Sequence, residues 1–303
     1  GEIRTPPPIP DALLERVHSR RYLDFLRGAW AEWVAEDPAN ADIDALPSVW
    51  PVRTFRDDVE PTNLTARLGL YSFDAGTPLT SGTWLAALGG GACAAAAAAA
   101  LRVPSPPRAA VALTRPPGHH AGRDFFGGYC FINNAAIAAQ ALLDAGARRV
   151  AVLDVDYHHG NGTQSLFYER ADVLTISLHG DPRFEYPFYL GHADEVGTGA
   201  GEGFNLNIPL PAGTDFTRWR AALMTALGRV SDYEPDALVV ALGVDTFEGD
   251  PISGFKLKSE DYLQLGRDLS ATRLPVVFTL EGGYAVAAMG VNVVNVLEGF
   301  LRS

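Results

Sequence analysis

Residues 150–160, Val-Ala-Val-Leu-Asp-Val-Asp-Tyr-His-His-Gly, join a short apolar run to a cluster of polar side chains. The run Val150 to Val155 is apolar at nearly every position, which is typical of a parallel strand buried on both faces. Asp154, Asp156 and His158 alternate with other residues, so on extended backbone their side chains share one face. The stretch therefore predicts a buried strand that delivers two carboxylates and an imidazole to one point.

Similar apolar runs alternate with amphipathic segments along the rest of the chain. We predict strands at 109–113, 150–155, 173–178, 237–242 and 276–280, and helices at 134–145, 162–170, 219–230, 260–269 and 291–301. Earlier helices are predicted from Asp11, with helical spacing continuing to Trp30, and from Thr83 through the alanine block. Apolar strands separated by amphipathic helices indicate an α/β fold, with one central parallel sheet and helices on both faces. No boundary signal divides residues 1–303, so a single domain is predicted, with the Pro- and Asp-rich segment 37–70 as a loop-rich insertion.

Composition narrows the classes of function and partner. The 303 residues include 24 Lys and Arg against 36 Asp and Glu, a net charge of -12. This charge argues against nonspecific nucleic-acid binding, which needs a basic field, and permits a cationic substrate. Cys93 and Cys130 cannot form a disulfide framework, so a reducing, cytoplasmic compartment is expected. The apolar run Ala92 to Leu101 is too short to span a membrane and the start does not resemble a signal peptide, so no membrane partner is predicted.

Polar side chains that could bind a metal or transfer protons follow four of the predicted strands. In open parallel sheets, ligands bind beyond the carboxyl ends of the strands, and such ends collect residues distant in sequence. The residues concerned are His119 and His120 after the first strand, Asp154, Asp156 and His158 after the second, Asp245 after the strand at 237–242, and Tyr284 after the last. The sequence therefore predicts one functional site at this edge of the sheet.

These residue types suit a catalytic metal centre. An isolated Asp-x-Asp-x-His pattern could equally cap local turns, but Asp245 supplies a third ligand, and three protein ligands leave a zinc ion one open position. Adjacent imidazoles at His119 and His120 suit proton transfer, with a buried acid such as Asp154 orienting one ring. The Tyr284 hydroxyl follows two glycines and could donate to an oxyanion opposite the metal.

Six motifs in this region resemble the histone deacetylase superfamily, in wording closest to its class II and bacterial branch. They are RPPGHHAG (115–122), GGYCFINN (127–134), DVDYHHGNGTQ (154–164), SLHGDP (177–182), LGVDTFEGDP (242–251) and EGGY (281–284). The stretch 185–214 further resembles the acetylpolyamine amidohydrolases. The similarity runs from about Tyr71 onward, in order and with the family's spacing.

The resemblance implies the arginase–deacetylase fold, with a tunnel that ends at zinc. Carried over residue by residue, it implies Zn²⁺ ligands at Asp156, His158 and Asp245. It implies that His120 is general base and then acid, that His119 is its electrostatic partner paired to Asp154, and that Tyr284 polarises the acetyl carbonyl. The substrate would meet the backbone of Gly128, tunnel walls at Tyr129 and Tyr186, and a rim aspartate at Asp74.

Two structural potassium sites are also implied by the resemblance. The first would use Asp154, Asp156, His158, Ser177 and Leu178, and the second the carbonyls of Phe167, Arg170, Val173 and Phe204.

The sequence departs from the family's pattern in two places. Asn161 stands where class I deacetylases carry an acid, which removes one possible carboxylate partner of His120. The family's initial strand, before the equivalent of Gly1, is not seen, which bears on the edge of the sheet rather than on the chemistry.

Several functions remain open at this point. The first is a zinc amidohydrolase that releases acetate from N-acetylated polyamines or diamines, small cationic amines. A deacetylase of acetyl-lysine in proteins would share the same core residues. A silent module that binds acetylated ligands should have lost a ligand, the base or the tyrosine, and an arginase-type manganese hydrolase would need more bridging carboxylates. The segment 37–70 could narrow the tunnel entrance or build a homodimer contact.

Overall fold

A six-stranded, entirely parallel sheet runs through the centre of the computed structural model, which describes residues 1–303. Its strands are β1 Ala109–Ala112, β2 Val150–Asp154, β3 Val173–Gly180, β4 Asn205–Leu210, β5 Ala237–Leu242 and β6 Val276–Leu280. Their order across the sheet is β1-β6-β5-β2-β3-β4, and every neighbouring pair is parallel. The prediction of an α/β fold with one central parallel sheet is confirmed.

Nine α-helices surround the sheet. They are α1 Asp11–Val17, α2 Arg20–Glu36, α3 Leu64–Leu70, α4 Thr83–Ala100, α5 Asn134–Asp144, α6 Asn161–Phe167, α7 Phe216–Tyr233, α8 Asp261–Ser270 and α9 Val286–Leu301. Alternate residues of β2 point into two separate hydrophobic cores: Val150 and Val152 face one, and Ala151 and Leu153 face the other. Helices α1 to α5 contribute to the first core and α7 to α9 to the second, so both faces of the sheet are covered.

The amino-terminal region differs from the predicted continuous helix between Asp11 and Trp30. The helix is interrupted at His18, whose backbone is extended. Helix α2 then begins after Ser19, whose hydroxyl oxygen accepts a hydrogen bond from the Tyr22 amide. The His18 side chain is fully buried, with Nδ1 at 2.7 Å from the Gly122 carbonyl oxygen and Nε2 accepting from the Asn133 amide. The break thus lets the His18 side chain contact the loop after β1 and the residue that caps α5.

Several elements lie outside the sequence prediction. Strand β4 was not predicted because it is an edge strand whose burial alternates, which hides it among the polar and glycine residues around it. The segment 37–70 is mostly irregular, but it begins with a 3₁₀-helix at Pro38–Asp42 and ends in helix α3, whose amino terminus is capped by the Asn63 side chain accepting from the Ala66 amide. One cap and seven residues are too short to produce a readable helical period.

Helix α4 reaches the length and hydropathy of a membrane-spanning helix, which the sequence prediction did not foresee because it considered only Ala92 to Leu101. Ala87, Ala92, Ala94, Ala97 and Ala98 are buried in the protein's own core. Small side chains let α4 pack closely against α5 and β1. Its apolar composition is therefore that of a tightly packed core helix.

Candidate active site

The predicted site residues meet because four strand ends are neighbours in the sheet. Strands β1, β6, β5 and β2 are adjacent in that order, and their carboxyl ends lead into the loops that carry the chemistry. The tandem histidines follow β1, Tyr284 follows β6, Asp245 follows β5, and Asp156 and His158 follow β2. Parallel pairing places all four ends at one edge, as the sequence predicts.

Three side chains form a buried cluster of metal donors. Asp156, His158 and Asp245 each offer one ligand atom, and these atoms lie within 4.8 Å of one another. His158 Nδ1 lies 3.0 Å from Asp245 Oδ2 and 3.3 Å from Asp156 Oδ1. The second oxygens are held by backbone donors: Gly282 N–H donates to Asp156 Oδ2 at 2.7 Å, and Tyr157 N–H donates to Asp245 Oδ1 at 2.9 Å.

The chemistry of this cluster fits a divalent cation. Burial, and then the neighbouring Asp156 carboxylate, raise the pKa of Asp245 to about 7. Two carboxylates enclosed this close together are costly unless positive charge compensates them. One imidazole nitrogen and two carboxylate oxygens form a set that zinc binds, with room for a further ligand. The donor set therefore suits zinc.

Gly282 is required by the close approach of the backbone to this cluster. A Cβ at this position would lie 2.5 Å from Asp245 Oδ2 and 2.6 Å from Asp156 Oδ2. Real Cβ atoms do not come this close, so any side chain would push the two carboxylates away. The first glycine of EGGY therefore forms part of the wall of the metal cluster.

The tandem histidines lie side by side with different partners. Their ring centroids are 4.0 Å apart. His119 Nδ1 lies 2.8 Å from Asp154 Oδ2, whereas His120 Nδ1 lies 2.7 Å from the Asn161 side-chain oxygen. Both rings are buried. The pairing of His119 with Asp154 and the proximity of Asn161 to His120 are thus present in the geometry.

The surroundings shift the pKa values of the two histidines in opposite directions. Burial opposes a charge on His119, but Asp154 and then Asp156 outweigh burial and raise the pKa of His119 to about 10. Burial, and then the neighbouring His119 and His158, hold the pKa of His120 well below its usual range. Because Asn161 is neutral, it offers no charge to offset this effect. These surroundings favour a protonated His119 and a neutral His120.

The Tyr284 turn is held by an aspartate that the sequence analysis did not single out. Asp250 Oδ2 accepts hydrogen bonds from the backbone N–H groups of Tyr284 and Ala285, at 2.7 and 3.1 Å. Burial, and then Asp156 and Asp245, raise the pKa of Tyr284 well above its ordinary value, so its hydroxyl stays protonated and able to donate. Asp250 lies in the quoted motif at 242–251, but no spacing rule connects it to a turn 34 residues away.

Aromatic rings surround the approach to the histidines. The Tyr186 ring stands edge-on to His120 at 5.1 Å and is stacked on Phe73 at 5.8 Å. Tyr129, with 47% of its surface exposed, faces Tyr284 at 6.2 Å. The structure therefore brings both predicted tunnel walls to the mouth of the site.

Asp74 is engaged by these wall residues. Its Oδ2 accepts hydrogen bonds from the Gly128 amide at 2.7 Å and from the Tyr186 hydroxyl at 2.5 Å. Gly128 has a φ of 53°, and a Cβ there would lie 2.1 Å from His120 Cδ2, so only glycine fits. The Gly128 amide is therefore committed to Asp74, and its carbonyl oxygen accepts a hydrogen bond from the Cys130 thiol at 3.3 Å.

Glu281 was also missed as a separate contributor. With His119 and Cys130 it forms a second group of potential metal donors within 4.8 Å. Its oxygens already accept three hydrogen bonds, from the amides of Gly118 and His119 and from the Thr279 hydroxyl. Burial raises the pKa of Glu281 to about 7. A committed carboxylate makes this group a poor metal site.

The residues of the two implied potassium sites lie together in the fold. Asp154 and Ser177 face each other in the register of β2 and β3. For the second set, Phe167 ends α6, Val173 begins β3, and Phe204 precedes β4. The Phe204 carbonyl accepts from the Thr175 amide, and the Phe167 carbonyl from the Arg170 amide. Potassium binding stays a prediction.

Comparison with known proteins gives a consistent result. Residues 1–300 match the model of the histone deacetylase domain. Two acetylpolyamine amidohydrolases of Pseudomonas aeruginosa are 53% and 54% identical over 300 and 301 residues, covering 99% of this chain and 86% of each relative. The acetylpolyamine amidohydrolase of Mycoplana ramosa is 49% identical, over 94% of this chain and 82% of the relative.

A solved structure shares the fold over nearly the whole chain. The crystal structure of an acetylpolyamine aminohydrolase from Burkholderia pseudomallei superposes with a TM-score of 0.93 at 39% identity, covering 99% of this chain and 85% of that one. This likeness agrees with the arginase–deacetylase fold that the motifs imply. By the match along its whole length, the chain belongs to the histone deacetylase family.

Proposed function

We propose that this protein is a zinc-dependent amidohydrolase that removes acetyl groups from N-acetylated polyamines and diamines, releasing acetate and the free amine. The main support for the proposal is that a buried cluster of three metal donors lies beside the imidazoles of His119 and His120, which have different hydrogen-bond partners. Asp156, His158 and Asp245 would hold the zinc ion. When bound, zinc supplies Lewis acidity toward the acetyl carbonyl and toward water.

His120 is the general base and then the general acid in this proposal. Its Nδ1 donates to the neutral Asn161 oxygen, which leaves Nε2 unprotonated and able to accept a proton from the attacking water. The same proton then passes to the amine nitrogen as the C–N bond breaks, since an unprotonated amine anion is a very poor leaving group. The low pKa of His120 keeps it in the basic form before the reaction.

His119 and Tyr284 stabilise the charge that develops. His119, charged through Asp154, faces the same region and offsets negative charge on the tetrahedral carbon's oxygens. The Tyr284 hydroxyl donates to the former carbonyl oxygen. This hydrogen bond strengthens as the oxygen becomes negative, so it acts on kcat more than on binding.

The substrate class is supported by the relatives and by charge. The relatives that share about half of their residues with this chain bear the name acetylpolyamine amidohydrolase. A net charge of -12 favours the approach of a small cation. Tyr129 and Tyr186 offer aromatic faces to an aliphatic or cationic chain. Acetyl-lysine in a protein would present the same amide, so the two substrates differ only outside the tunnel.

A substrate panel tests the proposal. Acetylputrescine, acetylcadaverine, acetylspermidine and an acetyl-lysine peptide are compared by acetate release, with His120→Ala as the inactive control. We expect kcat/KM for the best acetylated amine to exceed that for the peptide at least tenfold, and activity to vanish on chelation and return with zinc. A kcat/KM for the acetyl-lysine peptide equal to or higher than that for every acetylated amine would reverse the assignment of substrate.

A further inference from the structure

Glu281 is a partly buried acid that the proposed reaction leaves unused. Its Oε2 accepts the Gly118 amide at 2.6 Å and the His119 amide at 3.1 Å, and its Oε1 accepts the Thr279 hydroxyl at 3.0 Å. Gly118 and His119 belong to the loop after β1, whereas Glu281 and Thr279 belong to the end of β6. The carboxylate therefore joins two loops separated by more than 160 residues.

The position of this contact explains why it is needed. The hydrogen-bonded register of β1 and β6 ends at Ala112 and Thr279. Beyond it, the Thr114 hydroxyl donates to the Leu280 carbonyl at 2.6 Å, and Pro116 and Pro117 have no amide hydrogen to extend the ladder. Glu281 is the next connection between the two loops.

We propose that Glu281 is a positioning residue that fixes the tandem histidines relative to Tyr284. Resting on the proposed function, this assigns a role to the first residue of EGGY, three positions before the tyrosine. Gly118, held at the same point, has no space for a side chain, since a Cβ would lie 2.4 Å from the Asn134 amide nitrogen. Displacement of His119 would carry His120 with it, because the two are adjacent in the chain.

Three substitutions separate geometry from charge. Glu281→Gln keeps an oxygen for the two amides, and the Thr279 hydroxyl can turn to accept from the new NH₂ group. Glu281→Asp keeps the charge but withdraws the oxygens by one methylene. Glu281→Ala removes the acceptor. A positioning role predicts that kcat is highest in Glu281→Gln, lower in Glu281→Asp and lowest in Glu281→Ala. A role for Glu281 as a proton carrier predicts that Asp is more active than Gln, and that Gln is as inactive as Ala.

The expected values follow from the cost of misplacing a catalytic group. For Glu281→Ala, kcat should fall about 30- to 100-fold with KM within about threefold. Glu281→Gln should stay within about fivefold of the unsubstituted enzyme. All three variants should bind one zinc ion per chain, since Glu281 is not among the proposed ligands. Loss of zinc, or an unchanged kcat in Glu281→Ala, would overturn the inference.

Glu195 provides a matched control. This glutamate also accepts hydrogen bonds from two backbone amides, those of Gly191 and His192, and from the side chains of Gln164 and Asn207, but in a loop that does not carry the tandem histidines. Glu195→Ala should lower Tm as Glu281→Ala does, yet leave kcat within about threefold. If both variants lose kcat in parallel with Tm, Glu281 has only a structural role.

A readout without turnover keeps this inference separate from the proposed function. In protein labelled with ¹⁵N at histidine, the imidazole signals of His119 and His120 should shift in Glu281→Ala and stay near their original positions in Glu281→Gln. If the unsubstituted enzyme released no acetate from any substrate, the proposed function would fail while the displacement could still be observed. Unmoved imidazole signals in an active enzyme would refute the positioning role alone.

Discussion

Replacement of Asp250 by alanine should lower kcat by disordering the Tyr284 turn. The carboxylate holds the Tyr284 and Ala285 amides at 2.7 and 3.1 Å, and Asp250 is only 7% exposed. A hydrogen bond to a charged acceptor contributes about 1.5–3 kcal/mol. If the equivalent of one such bond is lost from the transition state, kcat falls roughly 10- to 100-fold, since about 1.4 kcal/mol corresponds to a factor of ten.

The loss has a ceiling, which makes the prediction testable by a double-mutant cycle. Asp250→Ala acts through Tyr284, so it cannot cost more than Tyr284→Phe, for which we expect a loss on the order of 10²- to 10³-fold. The double variant should therefore be about as active as Tyr284→Phe alone. Acetate release under saturating substrate gives kcat. Metal analysis shows whether the substitution has also disturbed metal binding by Asp245, which lies five residues earlier in the same loop. Multiplicative losses, or a variant without metal, would refute the reasoning.

Three further predictions follow from the site and the core. Tyr284→Phe should leave KM nearly unchanged while kcat falls as stated, because the hydroxyl acts on the oxyanion; steady-state kinetics with near-normal kcat would mean that another group polarises the carbonyl. Asp245→Ala should bind no zinc by metal analysis of the purified protein, and full metal content would exclude Asp245 as a ligand. Burial lowers the pKa of His18 from 6.5 to about 4. As the pH falls, the His18 imidazole is therefore protonated in the unfolded chain before it is protonated in the folded protein. Stability due to neutral His18 is complete above pH 6.5 and falls by about 3 kcal/mol toward pH 4; urea unfolding of His18→Gln should show a shallower acid limb, and an unchanged limb would assign the loss to other groups.

The sheet and the metal cluster were predictable because each depends on a local pattern. An apolar run such as Val150 to Val155 reports burial on both faces, and Asp156 and His158 follow it directly. Asp245 was reachable only through the rule that parallel strand ends share one edge. That rule needs no knowledge of which strands are neighbours, so it worked before the order of the sheet was known.

The carboxylates that hold the site loops in place could not be predicted, because no local sequence pattern marks their contacts. Asp250 and Glu281 act through backbone amides of distant loops, and a backbone amide carries no signature in the sequence. Strand β4 was not predicted because an edge strand lacks the continuous apolar run of a central strand. Similarly, the break at His18 depends on contacts with Gly122 and Asn133, more than 100 residues away.

The place of β6 in the sheet has a consequence for the order of folding. Although β6 follows β5 in the chain, it lies between β1 and β5 in the sheet and pairs with both. The strands that lead into Asp156, His158 and Asp245, by contrast, pair directly with each other. During synthesis, β2 and β5 can therefore pair before β6 has left the ribosome, whereas Gly282 and Tyr284, which follow β6, can join the site only afterwards. A nascent chain would pass through a stage in which the metal donors lie close together while the Gly282 amide and the Tyr284 hydroxyl are not yet in place.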